Sequence, residues 1–140
     1  MNAPLEVCRM AVHLMSTFEI SGLTAPALAI LKTAVLYAKE NRQVKKHTMS
    51  LNTFCHLAGF PSLLPGRFWP LSREASGVLG IVEEVDTSAP DRGDLAYSSW
   101  PVFASICIDG YNVKFEICNL TFDDVLLAKL QNLRPVLPEA

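Results

Sequence analysis

The dipeptide Asp109-Gly110, with the alternation on either side of it, constrains this chain more than any other feature of its 140 residues. Asp-Gly suits a type I′ turn, whose positive φ angles match the twist of a two-stranded hairpin. With these two residues as the loop, Ile108 faces Tyr111, and Ile106–Val113, Ala104–Phe115 and Val102–Ile117 follow as cross-strand pairs. All of these are apolar and share one face, while Ser105–Lys114 and Phe103–Glu116 fall on the other. Side chains alternate with a period of two, so a one-residue slip would turn the whole apolar set towards water. In this register Cys107 opposes Asn112 rather than Cys118, which argues against a disulfide across the hairpin. Phe103 lies on the polar face and is therefore expected to be an exposed apolar side chain in search of a partner.

Upstream the period is helical. Leu5, Cys8, Val12, Met15 and Phe18 recur at helical spacing and predict an N-terminal helix within residues 1–23. Thr24 then caps the strongest helix of the chain, which carries Leu28, Leu31, Val35 and Ala38 on one face. Pro26 is tolerated in its first turn, where a missing N–H leaves nothing unpaired. A polar stretch, 41–48, leads to a short helix capped by Ser50, with Leu51, Phe54, Cys55 and Leu57 as its stripe and Gly59 as terminator. FPSLLPGRFWP (60–70) holds three prolines and reads as an irregular loop, with a third helix from Pro70 or Leu71 to about Val78. Gly80 to Asp86 reads as a strand, Thr87 to Leu95 as a polar loop, and Tyr97 to Ile108 as extended, with Pro101 marking an edge or bulge. Thr121 caps a last helix, with Asp123 and Asp124 in its first turn and Val125, Leu126, Leu127, Leu130 and Leu133 on its apolar side.

Half of the residues are hydrophobic and 19% are charged, enough for one core and too apolar for a disordered chain. The expectation is a single α+β domain over 1–140. It comprises an N-terminal helix (1–23), a helical part (24–79), strands with a hairpin (80–118) and a C-terminal helix (121–134). No apolar run approaches the ~20 residues of a membrane span, and MNAPLEVCRM lacks the features of a secretory signal. A cytoplasmic protein without a membrane partner is expected. Helix, helix, helix, strand, strand–turn–strand, helix is the element order of a winged helix, in which the short helix and its successor form a helix-turn-helix and the hairpin forms the wing.

Charge is divided along the chain. Residues 24–73 hold Lys32, Lys39, Arg42, Lys45, Lys46, Arg67 and Arg73 against Glu40 alone, a net +6. Residues 74–140 hold four basic residues against eleven acidic ones, net −7, and residues 1–23 are at −1, so the overall −2 hides a basic helix-turn-helix region. Clustered Lys and Arg are what phosphate backbones attract. Lys45, Lys46, Arg67 and Arg73 are the expected DNA-binding residues, with duplex DNA as partner. The acidic remainder supports an alternative, a non-enzymatic protein–protein interaction or dimerisation module on the same fold. Phe68, Trp69 and Phe103 are its expected interface residues, since Trp and Arg anchor interfaces and Phe68-Trp69 follows Arg67 in a proline-framed segment.

Three segments carry a resemblance: TAPALAILKTAVLYAKEN (24–41), MSLNTFCHLAGF (49–60) and WPVFASICIDGYNVKFEICNL (100–120). Together their pattern resembles the N-terminal winged-helix domain of plasmid replication initiator proteins, over roughly residues 24–130. The resemblance implies a domain that binds origin DNA and dimerises, with Ser50 to Gly59 as the first helix of the motif and Arg67 to Ser76 towards DNA. The resembled initiators carry two such domains in a longer chain.

The remaining polar residues carry no catalytic or metal signature. His13, His47 and His56 are widely separated, no cysteine pair has CxxC spacing, and no phosphate-loop, zinc-protease or nucleophile-elbow motif occurs. Cys55 and His56 are adjacent on a helix and point about 100° apart, so they do not form a reactive pair. No enzyme activity, metal, cofactor or small-molecule substrate is expected.

Overall fold

A computed structural model describes residues 12–86 and 95–133 of the chain. These residues form four α-helices and two small antiparallel sheets, an α+β arrangement.

Helix α1 (Ala25–Glu40) starts where expected. Thr24 is extended, and its Oγ1 accepts the Ala27 N–H at 3.4 Å. Four alanines (Ala27, Ala29, Ala34, Ala38) interleave with Ile30, Leu31 and Val35 on the buried side, so neighbouring elements approach the helix closely. Asn41 ends it by donating its backbone N–H to the Tyr37 and Ala38 carbonyls. Helix α2 (Leu51–Ala58) has the expected ends, with the Ser50 Oγ accepting the Thr53 N–H at 3.1 Å and Gly59 at a left-handed φ of 83°, but Leu57 of its expected stripe is exposed and Ala58 is buried instead.

Four elements differ from the sequence reading. The N-terminal helix is instead a strand, β1 (Val12–Glu19), over the part that is described. Residues 1–11 lie outside the described residues. Apolar positions 12, 14, 15 and 18 fit either period, and the antiparallel partner β3 (Leu79–Asp86) decides between them, from Val12↔Asp86 to Glu19↔Leu79. Within the polar stretch, His47–Ser50 form a four-residue strand, β2. It is too short to show a pattern and exists because β6 (Asn112–Ile117) offers it an edge, with His47 opposite Phe115. The proline-rich segment is irregular only as far as Leu64, because helix α3 spans Pro65–Ser76 with Pro65 at its first turn and Pro70 inside it. Finally, Thr121 belongs to a 3₁₀ turn (Asn119–Phe122), and the cap of helix α4 (Asp124–Asn132) is Asp123, whose Oδ1 accepts the N–H groups of Val125 and Leu126.

The sheets have strand orders β1-β3-β4 and β2-β6-β5, with β4 at Leu95–Pro101 and β5 at Phe103–Asp109. The loop expected at 87–94 lies outside the described residues. Only Val102 separates β4 from β5. Its N–H donates to the Val78 carbonyl (3.1 Å) and its carbonyl accepts the Cys118 N–H (2.9 Å), so one buried residue ties the two sheets at their common corner.

In the β5–β6 hairpin Asp109 opposes Asn112 and Ile108 opposes Val113, so the loop is Gly110-Tyr111 rather than Asp109-Gly110. Gly110 has φ 60° and, among the described residues, no residue other than glycine has positive φ, a pattern that fits type II′ with glycine first and not type I′. The displacement is two residues, which keeps the same faces inward. Between Phe103 and Ser105 the register shifts, and this irregularity turns Phe103 into the core at 5% exposure.

One core joins these parts, with Phe115 at its centre. Its ring lies 5.2 Å from His47, 5.9 Å from Phe54, 6.2 Å from Tyr37 and 6.5 Å from Phe103. Thus β2, α2, α1 and β5 all converge on one side chain. Among the described residues, no helix is long and apolar enough to cross a membrane.

Candidate nucleic-acid interface

Helix α3 buries Phe68, Ser72 and Ala75 against the rest of the domain. Ser72 fits this close-packed side because its hydroxyl donates back to the Phe68 and Trp69 carbonyls, at 3.0 and 3.1 Å. The opposite side carries Arg67, Trp69, Pro70 and Arg73, all exposed. Arg67 and Arg73 stand roughly 9 Å apart along the axis and about 120° apart around it. Glu74, the single carboxylate of this helix, is turned to α1. Its Oε2 accepts both the N–H and the hydroxyl of Thr24, which places the negative charge at the positive end of α1. The outward side of α3 is left basic and aromatic.

Lys45 and Lys46 are exposed as well, in the turn before β2. That turn meets the sheet at the His47↔Phe115 end, whereas Trp69 and the start of α3 meet Cys107 and Ile108 beside the hairpin tip. The four expected DNA-binding residues therefore form two groups, Arg67 with Arg73 on α3 and Lys45 with Lys46 at the far end of β2. The remaining charge of the basic segment is partly engaged. Lys32 donates to the Gln131 and Leu133 carbonyls at 3.2 and 2.7 Å, where it caps the C-terminal end of α4. At the hairpin, Lys114 pairs with Asp109 at 3.4 Å and the tip presents Tyr111.

Two of the three expected interface aromatics require correction. Phe68 is fully buried, with its ring 5.4 Å from Phe54, and Phe103 is carried into the core by the register shift in β5. Only Trp69, at 39% exposure, is accessible. It borders an open, mostly apolar groove of about 510 Å³ with Pro65, Gly66, Cys107 and Ile108.

Comparison with protein-family models, with curated proteins and with solved structures finds no match.

Cys55 is buried, and burial pushes its thiol up, away from the thiolate, while His56 faces solvent. Cys55, Cys107 and Cys118 are free. Among the described residues, no three His, Cys, Asp or Glu side chains gather as metal ligands would.

One polar cluster is invisible in the sequence. Arg42, Val44, Lys45 and His47 line a cavity of about 380 Å³ with Ala38, Asn119 and Phe122. The Arg42 guanidinium lies over the Phe122 ring, 4.8 Å from its centroid. RQVKKH by itself reads as a solvated run, because the residues that complete the cluster lie more than seventy positions away.

Proposed function

We propose that this protein binds duplex DNA through a winged-helix domain, with α3 as the element that enters a groove. The order α1, β2, α2, α3, then β5 and β6 after the inserted strands β3 and β4 of the other sheet, supports this reading. So does the strand order β2-β6-β5, in which the strand between the first two helices pairs with the second strand of the hairpin, leaving that strand central. The observation that carries it is the composition of the outward side of α3: Arg67, Arg73 and Trp69 exposed, with Glu74 bound to Thr24 and out of the way. Arginine suits both phosphates and guanine edges, and an exposed tryptophan beside it adds contact area. Lys45 and Lys46 act as separate backbone contacts. Binding at repeated origin sequences, as in the replication initiators that the sequence resembles, is the biological setting of this proposal.

The test is a titration of a labelled random-sequence duplex at low and at moderate salt. Binding should weaken steeply as salt rises. Substituting Arg67 and Arg73 by Ala should lower the slope of log K against log salt by about one for each phosphate no longer neutralised. Absence of binding at low salt, or affinity indifferent to salt, would sink the proposal. A second reading, a protein–protein module, draws on the exposed Trp69 and its apolar groove. Sedimentation of the wild type and of W69A separates it. Self-association that W69A abolishes, together with no DNA binding, would favour the module.

A further inference from the structure

The cavity at the end of α1 has the chemistry of an anion site. Two cations, Arg42 and Lys45, line it with the Asn119 amide and His47, and no carboxylate does. His47 is buried, at 5% exposure, and packs against the rings of both Tyr37 and Phe115, which also touch each other. Among the described residues, neither of its ring nitrogens has a hydrogen-bond partner. A buried polar group without a partner is costly, and such a group at a cavity wall is satisfied by whatever the cavity holds.

The surroundings are prepared for negative charge in two further ways. The Arg42 guanidinium rests on the Phe122 ring, a contact that lowers the freedom it has to lose on binding. The C-terminal end of α1 would ordinarily repel an anion. Here Asn41 caps it, through its backbone N–H and through Nδ2 donating to the Tyr37 carbonyl at 2.8 Å.

We infer that this cavity is a binding site for a phosphoryl group, held by Arg42 and Lys45 with hydrogen bonds from His47 and Asn119. The phosphoryl group can belong to a DNA backbone or to a phosphorylated small molecule. The site does not depend on α3 meeting a groove.

The probe is inorganic pyrophosphate, titrated against sodium chloride of equal ionic strength while the imidazole resonances of ¹⁵N-histidine-labelled protein are recorded. His47 should shift saturably with pyrophosphate and not with chloride. K45Q changes an exposed side chain and should keep the melting temperature. It should weaken the effect roughly tenfold, the worth of one charge-assisted hydrogen bond. R42Q should weaken it at least as much. A parallel titration with a short duplex identifies the source: a matching His47 shift points to the DNA backbone, and a shift with pyrophosphate alone points to a small phosphorylated ligand. Unmoved His47 resonances in both titrations would overturn the inference, as would a pyrophosphate shift that K45Q and R42Q leave intact. A pyrophosphate response in a protein that fails to bind any duplex would leave this site standing and remove the DNA-binding proposal.

Discussion

His47 is a polar ring in an aromatic nest, and burial pushes its pKa below the ordinary 6.5. The folded protein therefore holds it neutral while the unfolded chain takes up a proton first. Stability is complete above about pH 6.5 and falls as the pH drops below that value, until the folded protein also binds the proton. Urea melts between pH 7.5 and 5.5, in phosphate-free buffer, should show this slope, bounded at about 1.4 kcal/mol per pH unit for one proton. In H47F the slope over that interval should flatten. Two glycines give a contrasting pair at the same scale. A Cβ on Gly80 would stand 2.7 Å from the Trp100 ring, and that ring is fixed by a 3.1 Å hydrogen bond from its Nε1 to Thr121. A Cβ on Gly66 meets nothing within 4 Å. G80A should lower stability by about 1–3 kcal/mol, the usual cost of overpacking. G66A, in the first turn of α3, should raise it by up to about 1 kcal/mol. Thermal melts of the two variants decide the matter, and equal effects would count against the packing of Trp100 on β3.

Helix α3 shows both what a sequence discloses about an element and what it conceals. Pro65 at a first helical position is a start signal legible in the sequence. Pro70 masks it, because proline inside a helix removes one backbone bond and normally ends the element. Burial of Phe68, Ser72 and Ala75 carries the helix through that break. P70A should restore the bond and stabilise the protein by about 1–2 kcal/mol, part of the ~3 kcal/mol interior cost being offset by a freer unfolded chain. A loss of stability in P70A would mean that the helix does not run through residue 70. Helices α1 and α2 are legible because their boundaries are local chemistry: Thr24, Ser50 and Gly59 cap them by interactions within a few residues. Strands β1 and β2 are not, because each depends on an edge offered by residues sixty or more positions away. The candidate site divides along the same line. Arg67, Arg73, Lys45 and Lys46 can be named as exposed charges from sequence, whereas the disposal of Glu74 onto Thr24 and the seating of Arg42 over the Phe122 ring emerge only from the fold.

At the scale of the molecule, the exposed cations expected to bind DNA are shared between two elements, Arg67 with Arg73 on α3 and Lys45 with Lys46 in the turn before β2. If a duplex touches both pairs, quadruple replacement should cost more affinity than replacing the stronger pair alone. Equal reductions in affinity would assign DNA binding to one surface. Both sheets are joined at the corner where β4 becomes β5. There the inside–outside rhythm breaks twice: Val102 and Phe103 are buried in succession, then Ala104 and Ser105 are exposed in succession. The second break cancels the first, which is why Trp100 before it and Ile106 and Ile108 after it share even-numbered positions while Phe103 does not. Such a corner behaves like a frame correction written into the chain. Losing a single residue anywhere in 102–105 would leave one break uncorrected and present the wrong face of everything downstream, from Ile106 to the hairpin tip. Lineages of this protein should therefore vary freely in the identity of Ala104 and Ser105, and hardly ever in their number.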